Sequence, residues 1–408
     1  MSNTQKKNVP ELRFPEFEGE WEEKELGGIF QIISGSTPLK SNKEFYENGN
    51  INWVKTTDLN NSKVTHSKEK ITEYAMKSLK LKLVPKNSVL IAMYGGFNQI
   101  GRTGLLKIDA TINQAISALL MNHETNPEFI QAYLNYQVKG WKRYAASSRK
   151  DPNITKKDIE QFKVPYISIN EQQKIGEFFS KLDRQIELQE QKLELLQQQK
   201  KGYMQKIFSQ ELRYKDENGN DYPEWEKKKL KEIAYVYTGN TPSKKENIYW
   251  NKGEYVWVTP TDIDNSKNIY ESEHKLTQEG YKKARQLPKN TLLITCIASI
   301  GKNAILRKQG SCNQQINAVV PFENINIDYL YYISDSLSMF MKSIAGKTAT
   351  QIVNKNTFEN LEIYLASFEE QNKIADLISS LEELIEKQAS KLIKMKRLKQ
   401  GLLQKMLI

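Results

Sequence analysis

The chain repeats itself once, and that duplication limits its folds more than any other feature. EWEEKELGGIFQIISGSTP, starting at Glu20, returns as EWEKKKLKEIAYVYTGNTP from Glu224, setting Trp21 on Trp225 and Thr37-Pro38 on Thr241-Pro242. INWVKTTDLNN at Ile51 returns as YVWVTPTDIDN at Tyr255, and VPKNSVLIAM at Val84 as LPKNTLLITC at Leu287. IGRTGLL at Ile100 matches IGKNAIL at Ile300, and NQAISAL at Asn113 matches NQQINAV at Asn313. From Glu171 and Glu370 onward the copies align without a gap, EQQKI on EQNKI and GYMQK on GLLQK. A period of about 200 residues is a domain duplication and not a solenoid repeat. Each half of the 408 residues therefore has to bury a core of its own.

Each copy changes character once along its length. Its longer first part is rich in Trp, Tyr, Val, Ile and Thr in short runs such as SVLIAM and TLLITC, broken by Gly, Asn and Pro, which predicts β-rich structure with a few helices. Its last part has no proline and dense Leu, Gln, Lys and Glu, which predicts one long helix. Spacings of four and three alternate there through Ile175, Phe179, Leu182, Ile186, Gln189, Leu193, Leu196, Lys200, Tyr203 and Ile207. The second copy repeats them with Ile374, Ile378, Leu381, Ile385, Gln388, Leu392, Met395, Lys399, Leu402 and Met406. This is the seam of a coiled coil, and the two helices are each other's obvious partners. A parallel, in-register pair would press Lys200 against Lys399, where like charges are desolvated and repel. An antiparallel pair carries those lysines to opposite ends, about 30 Å apart at 1.5 Å per residue, with Gln189 and Gln388 in neighbouring layers near the middle. The expected fold class is α+β: two β-rich α/β domains, residues 1–165 and 211–365, joined by long helices at 166–210 and 366–408. Those helices should form an antiparallel coiled coil about 58 Å long, with pseudo-twofold symmetry between the halves.

The balance of 60 Lys and Arg against 49 Asp and Glu, a formal charge of +11, suits a polyanionic partner such as nucleic acid or an acidic surface. Two cysteines, Cys296 and Cys312, are too few for a disulfide framework or a cysteine zinc site and fit a reducing cytoplasm. The polar N-terminus is unlike a signal peptide and no stretch is apolar enough to span a bilayer, so a soluble, cytoplasmic protein with no membrane partner is expected.

These residues resemble a known family, the specificity (S) subunits of type I restriction-modification systems. The likeness runs from about Leu12 to Ile408 and is carried by SGSTP and TGNTPS, NWVKTTD and VWVTPTD, PKNSVLIA and PKNTLLIT, INQA and CNQQ, and the EQ-x-KI start of each long helix. It implies that the two globular parts are target recognition domains, each reading one half of a split, asymmetric site in double-stranded DNA. It implies also that the helices hold the domains apart and, with their surroundings, dock two methyltransferase (M) subunits, through which restriction and translocase (R) subunits join. On this resemblance the chain is a non-catalytic specificity subunit that binds no cofactor, with S-adenosylmethionine, ATP and magnesium on the partner subunits. The sequence departs from the family in one place: the proline-rich lead into each helix is only partly present, as VPYISINEQQKI and IYLASFEEQNKI.

Motifs that would make the chain an enzyme by itself fail one by one. Gly346-Lys347-Thr348 looks like the end of a phosphate-binding loop, but that motif needs a glycine where this chain has Met341. Asn126-Pro127-Glu128-Phe129 lacks the second proline of an adenine methyltransferase motif, and its counterpart Asn326-Ile327-Asp328-Tyr329 has none. Both read as helix starts capped by asparagine. Glu226 and Lys228, near Asp216 and Asp221, have a nuclease-like spacing but read as solvated charge in a chain with 27% charged residues. His66, His123 and His274 show no spacing that would hold a metal or activate a nucleophile, so no metal site is expected. Cys296 reads as a buried core thiol.

Reading DNA calls for cations and amides on phosphates, and for polar side chains that reach base edges from loops. RYAASSRKDPNITKK offers Arg143, Ser148, Arg149, Lys150 and Asn153, and its counterpart KSIAGKTATQIVNK offers Lys342, Lys347, Thr348, Thr350 and Gln351. Arginine suits guanine and asparagine suits adenine because each bonds two groups at once. The two segments hold the same place in the repeat but differ in residues, as expected if each copy reads a different half-site. A second pair is YGGFNQIGR, with Tyr94, Asn98, Gln99 and Arg102, against CIASIGK, with Ser299 and Lys302. Lys40, and Lys244 with Lys245, follow the Thr-Pro turns as candidate phosphate contacts. Trp53 and Trp257 sit in apolar runs and read as core.

Overall fold

The computed structural model describes residues 8–96, 98–146, 153–264, 266–345 and 352–407. It divides into two compact units, Met1–Gln191 with Ser390–Ile408, and Lys192–Ala389. Each unit thus owns one β-rich domain, the near half of one long helix and the far half of the other.

In the first unit a five-stranded sheet runs in the order Gln31–Ser34, Ile116–Leu120, Val89–Ala92, Thr103–Leu106, Ser62–Val64, antiparallel except for the last pair. A three-stranded sheet sets Ile51–Val54 between antiparallel Glu69–Ile71 and parallel Thr111–Ile112, and Glu22–Glu25 pairs with Lys163–Tyr166. The second unit repeats the order strand for strand. Its large sheet is Ala234–Thr238, Ile316–Pro321, Thr291–Thr295, Asn303–Leu306, Asn268–Ile269, its small sheet centres on Tyr255–Val258, and Glu226–Lys229 pairs with Glu362–Leu365.

The central strands are unbroken apolar runs because both faces of the sheet are covered. Val89 and Ile91 enter the core beneath the helices, while Leu90 and Ala92 enter a second core with Val54 and Ile112 of the small sheet. Leu292 and Ile294 divide from Leu293 in the same way in the second unit. Trp53 and Trp257 are core residues, 1% and 2% exposed.

Turn chemistry accounts for most of the repeated motifs. Asn87 and Asn290, in the two Pro-Lys-Asn turns, adopt left-handed φ of 69° and 61°, which asparagine tolerates. Asp58 and Asp262, ending the Thr-Thr-Asp and Pro-Thr-Asp runs, each accept a hydrogen bond from the backbone N–H three residues back, of Lys55 at 2.9 Å and Thr259 at 2.7 Å. Asn113 and Asn313 accept from the N–H two residues on, at 3.2 and 3.0 Å.

The long helices span Ile169–Phe208 and Phe368–Met406. Every seam position named above is buried or half-buried. In the first unit Asp183 pairs with Lys399, and Glu190 with Lys396 at 2.6 Å, so one helix rises in number as the other falls. In the second unit Lys200 meets Glu382 at 2.6 Å. The pairing is antiparallel, and each seam lysine ends on a carboxylate of the other helix. The helix ends are also core. Ile175 and Phe179 pack with Leu403 and Met406, and Ile207 packs with Ile374 and Ile378.

The Glu-Gln pair that opens each helix has a purpose the sequence did not disclose. Glu171 receives Arg13 through two bonds, at 2.7 and 2.8 Å, and the Trp21 indole N–H at 3.3 Å. Glu370 receives Arg213 at 3.2 and 2.9 Å and Trp225 at 2.9 Å. Gln172 and Gln371 accept the backbone N–H of Asn126 and Asn326, both at 2.9 Å. Each pair thereby fastens both the segment that enters its domain, around Arg13 or Arg213, and the loop ahead of a domain helix to the start of a long helix. The entering segment also caps the other long helix: Leu12 N–H donates to Lys405 O at 2.9 Å, as Leu212 N–H donates to Lys206 O at 3.0 Å.

Cys296 and Cys312 are free and buried, and burial pushes both thiols up to about 12. Neither will be appreciably ionised at pH 8, and thiolate is the reactive form. Iodoacetamide should therefore label the native chain only as fast as the second unit opens, and label it promptly in denaturant. Rapid labelling of the folded protein at pH 8 would refute this.

Candidate nucleic-acid interface

The two stretches singled out as DNA-reading lie side by side in each unit. In the first, the turn leaving Val89–Ala92 carries Tyr94, Asn98, Gln99 and Arg102, and Ile154 N–H closes on Met93 O at 3.0 Å, which brings Asn153 to the same place. In the second, Val353 N–H closes on Cys296 O at 3.0 Å. Helices Val138–Ala146 and Ile327–Ala345 flank the turns and bring Arg143 and Lys342. Close approach to the helix explains two of the turn glycines. Gly101 has a φ of +76° and a side chain there would come within 2.9 Å of Trp141, while Gly301, at +82°, would meet Ser338 at 3.0 Å and the Lys342 stem at 3.2 Å.

In the second unit Ala298, Ser299, Ile300, Lys302, Lys342 and Ala345 line a cleft of about 340 Å³. Three of the candidates, Ser299, Lys302 and Lys342, therefore face one space. Ala298 holds a left-handed φ of 61°, an uncommon strain for alanine that lies at the tip of this turn. In the first unit Tyr94, Asn98 and Arg143 are exposed, and Gln99, Arg102 and Asn153 half-buried. Arg102 donates to the Asn98 carbonyl at 3.1 Å, and the buried Gln99 Oε1 has no partner among the described residues. Ser148, Arg149, Lys150, Lys347, Thr348, Thr350 and Gln351 lie outside the described residues.

Lys40, Lys244 and Lys245 are exposed on a different turn, tied through Thr37 to Gln114 and through Thr241 to Gln314. Lys40 shares a cleft of about 490 Å³ with Lys43 and Lys70 but also with Glu47 and Glu69, so that surface is of mixed sign. Lys244 stands 6.0 Å from the Trp257 ring.

Lys142 belongs to this edge as well, although it stands on a helix and not in a loop. Its neighbours Trp141 and Ala145 are buried, at 0% and 1%, as are Met341 and Ala345, at 0% and 3%, so Lys142 and Lys342 hold equivalent places on their helices. The amphipathic pattern of VKGWKRYAA, aligned with that of the second copy, carried that signal.

Of the enzyme-like motifs, Gly346-Lys347-Thr348 lies outside the described residues, and the others have structural partners. Asn126 and Asn326 cap helices by accepting from Phe129 and Tyr329 N–H at 2.9 and 3.0 Å. Asp216 closes a turn on the N–H groups of Asn218 and Asn220. Glu226 pairs with its strand neighbour Lys228 at 2.7 Å, which lowers the carboxyl's pKa and raises the ammonium's. Among the described residues no group of three or more His, Cys, Asp or Glu could hold a metal, and no helix is long and apolar enough to cross a membrane.

The chain is similar in sequence and in fold to known proteins. The chain is 35% identical over 186 residues to the type I restriction enzyme MjaIX specificity subunit of Methanocaldococcus jannaschii, covering 44% of this chain and 43% of that one. It is 32% identical over 204 residues to the EcoR124I/EcoR124II specificity subunit of Escherichia coli, covering 48% and 50%. These matches span half or less of either relative. The MjaVIII specificity subunit aligns over 93% of this chain and 89% of its own length at 24% identity. In fold, the chain is similar to the type I restriction-modification S subunit from M. genitalium, with a TM-score of 0.62, 16% identity and coverage of 98% and 99%. The family model described as the type I restriction modification DNA specificity domain matches residues 18–198 and again 222–395. A duplication visible in the sequence, repeated strand for strand in the fold and matched in each half by one model, makes this chain a member of the type I restriction-modification specificity-domain family, with two copies of that domain.

Proposed function

We propose that the chain is the non-catalytic DNA-reading subunit of a type I restriction-modification assembly, each unit reading one half of a bipartite, asymmetric target. One observation carries this reading: the same two stretches of chain converge in both units on a cationic turn-and-helix edge, yet present different side chains, Asn98, Gln99 and Arg102 against Ala298, Ser299 and Lys302. Equal scaffolds with unequal tips suit two different half-sites on one duplex. Two methyltransferase subunits dock on the paired helices and their surroundings, and restriction subunits join through them. S-adenosylmethionine, ATP and magnesium act on those partners. A relative of similar fold, with a TM-score of 0.54, comes from a study of complex assembly and conformational transition in the type I system, which supports the partner assignment.

The test compares the purified chain with the chain co-expressed with its methyltransferase. Alone, with magnesium, ATP and S-adenosylmethionine, the chain should neither cleave nor methylate DNA. Together, sequencing of modified genomic DNA should show methylated adenines in one motif of two dissimilar halves at a constant spacing. Activity that follows the purified chain and disappears in Glu226→Ala or Asn126→Ala would make it an enzyme instead.

A further inference from the structure

We infer that Lys302 with Lys342, and Arg102 with Lys142, are two equivalent cation pairs that grip the sugar–phosphate backbone, leaving base edges to the positions between them that differ. This rests on the DNA-reading function proposed above and assigns each side chain its part.

Two domains that read different sequences on one double helix meet the same phosphates but different bases. Residues on the backbone should then keep their charge between copies, and residues on bases should not. Counted back from the shared Ile-Gly at 100–101 and 300–301, 98 and 99 are Asn and Gln where 298 and 299 are Ala and Ser, and the first turn is three residues longer, so the tips change completely in hydrogen-bonding character. Arginine at 102 becomes lysine at 302, and lysine at 142 stays lysine at 342, so both charges are kept.

Geometry agrees in each unit. Lys302 and Lys342 line one cleft with Ser299, and no carboxylate is among its lining residues. Lys302 Nζ donates to the Pro260 carbonyl at 3.4 Å while its side chain and that of Lys342 line the same cleft, so a phosphate oxygen entering it would meet both cations with the Ser299 hydroxyl beside them. Gly301 lets the Lys342 stem cross the turn, since a side chain there would sit 3.2 Å from Cε. In the first unit the Gly101 contact with Trp141 sets the residues that follow each of them, Arg102 and Lys142, at the same junction of turn and helix.

The test uses the full chain and two duplexes, one with the methylated motif and one of scrambled sequence, with dissociation constants followed over a salt series. Each lost phosphate contact lowers the slope of log K against log salt by about 0.9. Lys302→Ala and Lys342→Ala should each show that fall, the double variant about 1.8, on both duplexes alike and with the methylated motif unchanged. Arg102→Ala and Lys142→Ala should do the same, and Lys302→Arg should keep the slope. Asn98→Ala should keep the slope and relax one half of the motif. Unchanged slopes in the lysine variants, or a loss confined to the motif duplex, would overturn the clamp. A wild-type chain that shows neither a salt slope nor a preference between duplexes would overturn the DNA-reading function itself, and the clamp with it.

Discussion

Glu370→Ala should destabilise the second unit by about 3–5 kcal/mol, the usual effect of removing one member of a buried ion pair. The Glu370 side chain is 0% exposed and Arg213 19%, and once the carboxylate is gone the half-buried guanidinium keeps only the Tyr222 and Pro223 carbonyls, at 3.2 and 2.6 Å, and Glu224 at 3.8 Å. The loss is compounded because the Trp225 indole N–H, 2.9 Å from Glu370, would be stranded in the core. A domain with about 5–15 kcal/mol of total stability does not absorb that easily. Glu171→Ala should do the same to the first unit through Arg13 and Trp21. Urea unfolding of each variant is the measurement, with an early transition for the affected unit. A shift below about 1 kcal/mol would place these pairs among ordinary surface contacts.

Gly35→Ala and Gly239→Ala should be comparably damaging, for a steric reason. Both glycines sit in the Ser-Gly-Ser-Thr-Pro and Thr-Gly-Asn-Thr-Pro motifs. A side-chain carbon at Gly35 would lie 1.9 Å from Ile112 O, and one at Gly239 would lie 2.3 Å from the carbonyl oxygens of Asn313 and Cys312. These are backbone atoms of the small sheet and of the loop that follows it, so neither side can yield by changing a rotamer. The penalty should reach or exceed the about 1–3 kcal/mol typical of overpacking. Gly202→Ala and Gly401→Ala provide the contrast, because their side chains would meet open space inside a long helix. There alanine should stabilise by up to about 1 kcal/mol. Chemical denaturation of all four variants checks both signs at once, and a neutral Gly35→Ala would show that the strand exit can move.

Local rules were enough for the features they govern. The duplication, the helix seam and the antiparallel sense follow from residue spacing and from the repulsion of Lys200 and Lys399, and the structure adds the carboxylates, Glu382 and Asp183, that receive them. The asparagine caps at Asn126 and Asn326 and the buried tryptophans, Trp53 and Trp257, were equally legible, because capping and burial act within a few residues of chain. Strand order was not legible. The parallel pairing of Ser62–Val64 with Thr103–Leu106 joins residues far apart in sequence and leaves no periodic trace. For the same reason only the tertiary structure brought the 94–102 turn against the helix at 138–146, and only it revealed Lys142. It also changed the meaning of the motifs that carry the family likeness: Glu171, Gly35, Asn87 and Asp58 hold the scaffold, and the candidate readers lie between them at positions the repeat does not preserve. Turn and seam chemistry is encoded locally, whereas a binding edge is made by long-range sheet pairing, which decides which loops meet.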